Sequence, residues 1–177
     1  MHHSVLSNHR FAIHDLEFMQ WLIDNGADVS MRSDLDESTL SKAIAFGSIE
    51  VVDYLLSKEE NFERSDLLHC AALRDNENEG AALVEKLSQR GADVNAHRYN
   101  NNTALRMRCK SELPTPLHIA CKRQNIPVIR ALMRQGADPY RQMLKAFQET
   151  PPTAFEIAAQ SSCKVDLISI LRHQVSD

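Results

Sequence analysis

Eight histidines and four cysteines are the residues of this sequence best suited to metal binding or nucleophilic chemistry. Cys70, Cys109, Cys121 and Cys163 stand 39, 12 and 42 residues apart, so no C-x-x-C pair opens a zinc or thioredoxin-like site. His118 and Cys121 share a helix face at i, i+3, but zinc takes three or four ligands, and no other Cys or His lies close in sequence. His2, His3, His9 and His14 crowd near the start, and His97 and His173 are isolated, so all six read as bystanders. Cys70 and Cys121 sit beside Ala71 and Ala120, where small apolar residues allow close packing. Carboxylates are abundant but have no apolar neighbourhood that would raise a pKa for acid–base work. The five glycines are too scattered for a phosphate-cradling loop. These residues predict no catalytic group, no metal and no cofactor.

The elements that carry them repeat. Gly26-Ala27-Asp28-Val29, Gly91-Ala92-Asp93-Val94 and Gly136-Ala137-Asp138-Pro139 each follow an apolar run. Counting back from each glycine, the ladders Leu16/Met19/Leu22, Ala81/Val84/Leu87 and Ile126/Ile129/Leu132 mark one face of a helix. Ile49/Val52/Leu55 form a fourth ladder that places Glu59 at the glycine position. Gly26 to Glu59 is then 33 residues and Glu59 to Gly91 is 32. Upstream of these helices lies Thr115-Pro116-Leu117-His118-Ile119-Ala120, with weaker copies at Ser38 to Ala43, Asp66 to Ala71 and Thr153 to Ala158. Thr or Ser at a helix start supplies an N-cap, Pro116 suits N1, and the glycines suit left-handed C-caps; Glu59 there should cost stability.

A T-P-L-H-x-A motif followed about 21 residues later by G-A-D, at a period near 33, resembles the ankyrin repeat family. The resemblance covers about Asp15 to Gln174, and the run Asp15 to Ile23 is similar in style to ankyrin proteins of filamentous fungi. It implies an all-α solenoid of helix-turn-helix units joined by β-hairpin loops, a single domain over 1–177. The units fall at 34–63, 64–98, 111–141 and 150–177 after a partial unit at 1–33 whose first helix is short, altered or missing. His69 and His118 then take the structural role of the T-P-L-H histidine, tying its turn to the neighbouring unit. The interval from Asp66 to Gly91 is four residues longer than the others, which assigns 75–80 to a polar, mobile loop between two helices.

Composition and charge bound the function. The chain is 43% hydrophobic and 25% charged, enough for one globular core. It has no run long enough for a membrane helix and no signal-peptide pattern at Met1 to Ser4, which predicts an intracellular protein, cytoplasmic or nuclear. Residues 1–96 hold 8 Lys/Arg against 18 Asp/Glu, residues 97–145 hold 10 against 2, and residues 146–177 hold 2 against 4. The middle is therefore either an acid-facing surface or one of two regions that attract each other.

Gly91 to Thr115 is 24 residues where Gly26 to Ser38 is 12, so the junction 97–112 is a long finger. It carries Arg98, Tyr99, Arg106, Arg108 and Lys110, and the next finger carries Tyr140, Arg141 and Lys145. Long loops of this kind are functional or are tolerated insertions. The reading is a non-enzymatic protein-interaction module, a scaffold or adaptor, with a protein partner that presents an acidic segment and no small-molecule substrate. Nucleic-acid contact through 97–145 and a regulatory piece of a larger enzyme complex are the alternatives, and the incomplete first unit also fits a fragment of a larger ankyrin protein.

Overall fold

A computed structural model describes residues 11–29, 31–33, 37–58, 66–98, 112–144, 150–161 and 164–172. Among them a 3₁₀ turn, Ala12–His14, leads into α1 (Leu16–Asp24). Four helix pairs follow: α2 (Thr39–Phe46) with α3 (Ile49–Lys58), α4 (Leu67–Leu73) with α5 (Glu77–Gln89), α6 (Pro116–Arg123) with α7 (Ile126–Arg134), and α8 (Ala154–Gln160) with α9 (Lys164–Arg172). The first helices stack in the order 3₁₀ turn, α2, α4, α6, α8, and the second helices form a parallel layer. This is the all-α ankyrin-type solenoid, in which each pair buries its faces only against its neighbours. The described residues hold no named strand, only the isolated bridges Arg32 to Ser38, Leu113 to Leu144 and Gln142 to Thr153.

The ladders lie where their period puts them. Met19, Leu22, Val52, Leu55, Val84, Leu87, Ile129 and Leu132 are all buried, and their topmost partners, Leu16, Ile49, Ala81 and Ile126, are half-buried against the same core. Leu167 and Leu171 continue the core into α9. Gly26, Gly91 and Gly136 have φ of +90°, +91° and +85°, the region that penalises a Cβ. The expected strain at Glu59 lies outside the described residues.

Helix starts account for the turns. Ser38 and Ser41 make a reciprocal capping box, as do Thr153 and Glu156. The Thr115 N–H and hydroxyl both turn to His118 Nδ1, at 3.2 and 2.7 Å. Four of the second helices, α1, α3, α5 and α7, are capped too: Asp15, Ser48, Asn76 and Asn125 accept from the N–H of Phe18, Val51, Glu79 and Val128.

Residues 75–80 overturn the expectation of a mobile loop. Asn76 stands ten residues after Asp66, as Ser48 follows Ser38 and Asn125 follows Thr115, so the first-helix half of this repeat has ordinary length. The four extra residues lie in α5, which has 13 residues where α1 and α7 have 9. They are one additional helical turn. Glu77 and Glu79 suit its N-terminal dipole, and Gly80 is buried within it. A Cβ on Gly80 would stand 2.8 Å from the Ala71 carbonyl oxygen and 3.1 Å from Val128 Cγ2, so this glycine lets α4, α5 and α7 approach closely.

Arg74 fixes the pair α4/α5 to the one before it. It is buried at 7% exposure, and its Nη1 donates to the carbonyls of Ile44 (2.8 Å) and Ala43 (3.3 Å). Nη2 donates to Gly47 O at 2.8 Å, and Nε pairs with Glu79 Oε2 at 2.7 Å. One guanidinium thereby donates to three carbonyls at the end of α2, of which that of Ala43 also accepts from the Gly47 N–H, and meets a carboxylate on α5.

Candidate functional site

The fingers are tied at their bases. The Asp93 and Asp138 carboxylates accept from the N–H groups of Asn95 and Tyr140, both at 2.8 Å, forming tight turns after each G-A-D. Asn95 links the two turns by donating to Gly136 O (3.1 Å) and accepting from Asp138 N–H (2.8 Å). Leu113 and Leu144 exchange backbone bonds of 2.8 and 3.1 Å, and Met143 N–H donates to Pro152 O at 3.2 Å. The junction after α5 and the junction after α7 therefore lie side by side.

Histidines complete these ties. His69 Nε2–H donates to Pro114 O (3.1 Å) and His118 Nε2–H donates to Pro152 O (3.2 Å), each joining a first helix to the turn of the next pair. Burial, with Arg98 beside it, lowers the His69 pKa to about 3; burial lowers that of His118 to about 4. Both are neutral, which the geometry at His118 requires, since its Nδ1 accepts while its Nε2 donates. His97 is no bystander: its Nε2–H donates to Gln142 O at 2.9 Å, from one finger to the next. The sequence signal for it was its place four residues past Asp93, inside the turn.

Burial, and for Cys70 the adjacent Asp66 carboxylate, raises the thiol of Cys70 well above its usual range, and burial pushes Cys121 up to about 12. Both thiols are protonated core groups, poor nucleophiles. Among the described residues no group of three or more His, Cys, Asp or Glu converges on a point that could hold a metal ion.

Of the seven residues predicted for partner contact, Arg98 and Arg141 are described, while Tyr99, Arg106, Arg108, Lys110 and Lys145 lie outside the described residues. The two differ in role. Arg98 is half-buried, with Nη2 3.6 Å from the buried Asp66 carboxylate and its N–H on Pro114 O at 2.9 Å, so its head faces inward. Arg141 is exposed, flanked by Tyr140 and followed by Leu144, which are 53% and 46% exposed. Tyr140 stacks on Phe155 at 5.4 Å, and Arg172 lies over that ring at 5.7 Å. The chemistry of this surface is contact: aromatic and aliphatic area beside a cation. Elsewhere, Ile126, Arg130, Met133, Arg134, Asp166, Ser169 and Ile170 line an open groove between α7 and α9, on the second-helix side.

Residues 9–98 match a family model described as ankyrin repeats in three copies, and residues 115–143 match the single ankyrin repeat model. The chain belongs to the ankyrin repeat family, whose repeats generally mediate protein–protein interaction. It is also similar to a protein named L-asparaginase from Dirofilaria immitis, at 27% identity over 139 residues, which is 75% of this chain and 20% of that protein. The chain thus spans about a fifth of the length of that relative. Among the described residues no helix is long and apolar enough to cross a membrane.

Proposed function

We propose that the chain is a non-enzymatic protein-interaction module, a scaffold or adaptor, that engages an acidic segment of a protein partner through the finger 97–112 and its neighbour. The observation that supports this best is the backbone pairing of Leu113 with Leu144, by which the chain just after 97–112 runs beside the junction bearing exposed Tyr140, Arg141 and Leu144. Tyr99, Arg106, Arg108 and Lys110 belong to the first of these, and Arg141 and Lys145 to the second. Arg98 contributes by holding the finger base. The reading needs no cofactor, metal or small-molecule substrate. The L-asparaginase likeness spans too small a part of that protein to bring its reaction here.

The test is capture of the native partner by the wild-type chain and by the triple variant Arg106→Glu, Arg108→Glu, Lys110→Glu, at low and high salt. Loss of capture with an unchanged circular dichroism spectrum, and a salt-sensitive wild type, are the expected results. Undiminished capture would transfer the contact to the acidic residues of 1–96.

A further inference from the structure

Three junctions between pairs are joined at their bases by the same backbone bond. Seven residues after Gly26, Gly91 and Gly136 stand Ser33, Arg98 and Met143. Their N–H groups donate to the carbonyls of Glu37, Pro114 and Pro152 at 2.9, 2.9 and 3.2 Å, each acceptor lying just before the capping residue of the next first helix. The joined residues are 4, 16 and 9 positions apart. Holding two points of a chain together costs more entropy the longer the chain between them, so the bond at Arg98 needs the most support.

The three side chains differ accordingly. Ser33 Oγ accepts from the Glu37 N–H at 3.2 Å, and Met143 is buried. Arg98 turns its Nη2 to Asp66 Oδ2 at 3.6 Å. Asp66 opens α4, where Ser38, Thr115 and Thr153 open the other first helices. Those three have extended backbones, with ψ of 169°, 167° and 163°, and bond within their own first turns. Asp66 has ψ of 23° and caps no N–H of its helix, although aspartate is among the best capping residues. Its buried carboxylate accepts instead from the Cys70 thiol, at 3.6 Å and on the oxygen that faces Arg98. Three residues on, His69 Nε2–H donates to the same Pro114 carbonyl that receives the Arg98 N–H. The start of α4 thus holds both ends of the long junction, Arg98 by charge and Pro114 by a hydrogen bond. A residue that breaks the local rule of its position points to a constraint from function.

We infer that Asp66 is a positioning residue for the finger 97–112: it gives up the helix cap in order to anchor Arg98 beside Pro114. The inference rests on the reading of that finger as the contact surface, and adds that its ends are fixed before a partner arrives, which lowers the ordering cost of binding. Arg98 is thereby an anchor of the finger and not one of the charges it offers.

Two measurements on the full chain test this. In the first, amide hydrogen exchange is followed residue by residue by NMR, with no partner present, in wild type, Asp66→Thr, Arg98→Met and the double variant. Asp66→Thr installs the residue found at this position before α6 and α8. Exchange at residue 98 and at Leu113 should quicken by about tenfold or more in both single variants, while amides of α5 and α7 keep their rates. The double variant should go no faster than the faster single one, because both remove one interaction. Unchanged rates, multiplied effects in the double variant, or a rise shared by α5 and α7 would overturn the anchor.

The second measurement titrates the same chains with a synthetic Asp/Glu-rich peptide. The two single variants change the net charge in opposite directions, so a pure charge effect would strengthen binding in Asp66→Thr and weaken it in Arg98→Met. Positioning predicts weaker binding in both, by about threefold or more, and opposite changes overturn it. A wild type that ignores the peptide counts against the acidic-partner reading alone, since exchange decides the anchor without it.

Discussion

Replacing Arg74 by methionine keeps most of the apolar stem and deletes the guanidinium that joins two layers of the array. Three carbonyls, of Ala43, Ile44 and Gly47, lose a charged donor, and Glu79 loses its partner. A hydrogen bond to a charged group contributes about 1.5–3 kcal/mol, and an orphaned buried acceptor costs about 1–3 kcal/mol. Water can reach part of the site, because the Glu79 side chain is 37% exposed. These terms are not additive, so we expect a loss of about 3–5 kcal/mol, the range for breaking a buried pair by removing one partner. Arg74→Lys restores the charge but not the fork, and should fall between wild type and Arg74→Met. The control is Lys86→Met: its bridge to Asp53 lies in the open, with side chains 42% and 54% exposed, and should contribute under about 1 kcal/mol. Urea unfolding followed by circular dichroism measures all three. Because a solenoid's stability is a sum over neighbouring layers, Arg74→Met should also broaden or split the transition. A midpoint within about 1 kcal/mol of wild type, with unchanged cooperativity, would refute the assignment of Arg74 as the link.

Gly80→Ala sets helix propensity, which favours alanine by about 1 kcal/mol, against a Cβ placed 2.8 Å from a backbone carbonyl. The clash wins: thermal unfolding should show a loss of about 1–3 kcal/mol, whereas a stabilised variant would mean that α4 and α5 separate at little cost. Leu55→Ala and Leu132→Ala, both at fully buried sites, should each cost about 2–5 kcal/mol in urea, and a change near zero would misplace the ladder. The folded-state pKa values of His69 and His118 lie below the unfolded value near 6.5, so the unfolded chain binds more protons and stability falls as pH drops below about 6.5. Down to pH 5 the loss is about 2 kcal/mol for each histidine, read as a falling urea midpoint. In His69→Gln or His118→Gln the slope should flatten, and an unchanged slope would assign the acid sensitivity to other groups.

What was legible in the sequence is what repeats within one helix. The ladder residues reveal themselves because burial selects apolar types every three or four positions, and the three glycines because a left-handed φ penalises any Cβ. The ties of His69 and His118 were legible only through the family resemblance, since their acceptors, Pro114 and Pro152, stand 45 and 34 residues away. Residues 75–80 were misread for a physical reason: one extra turn projecting beyond its neighbours is solvated, so it takes the polar composition of a loop while keeping its helical hydrogen bonds. Arg74 was invisible because all the carbonyls it serves belong to the preceding pair, 27 to 31 residues back.

The position of Arg74 also shows that the layers are not joined alike. Two residues before the capping residues Ser48, Asn76 and Asn125 stand Phe46, Arg74 and Arg123. Phe46 is 65% exposed. Arg74 is buried in the end of α2, and Arg123 reaches back only to the exposed Asp75, at 2.8 Å. The second helices follow the same pattern. Side chains span α3 to α5, through Lys86 to Asp53 and Arg90 to the Leu56 carbonyl at 2.6 Å, while α5 and α7 touch directly across Gly80 and Val128. Among the second helices, α3 and α5 are therefore joined by polar links, and α5 and α7 by close apolar contact together with the exposed Arg134–Glu85 pair at 3.0 Å. Raised ionic strength screens exposed charges and strengthens apolar burial, so it should weaken the first junction relative to the second, although the buried Arg74 link resists screening.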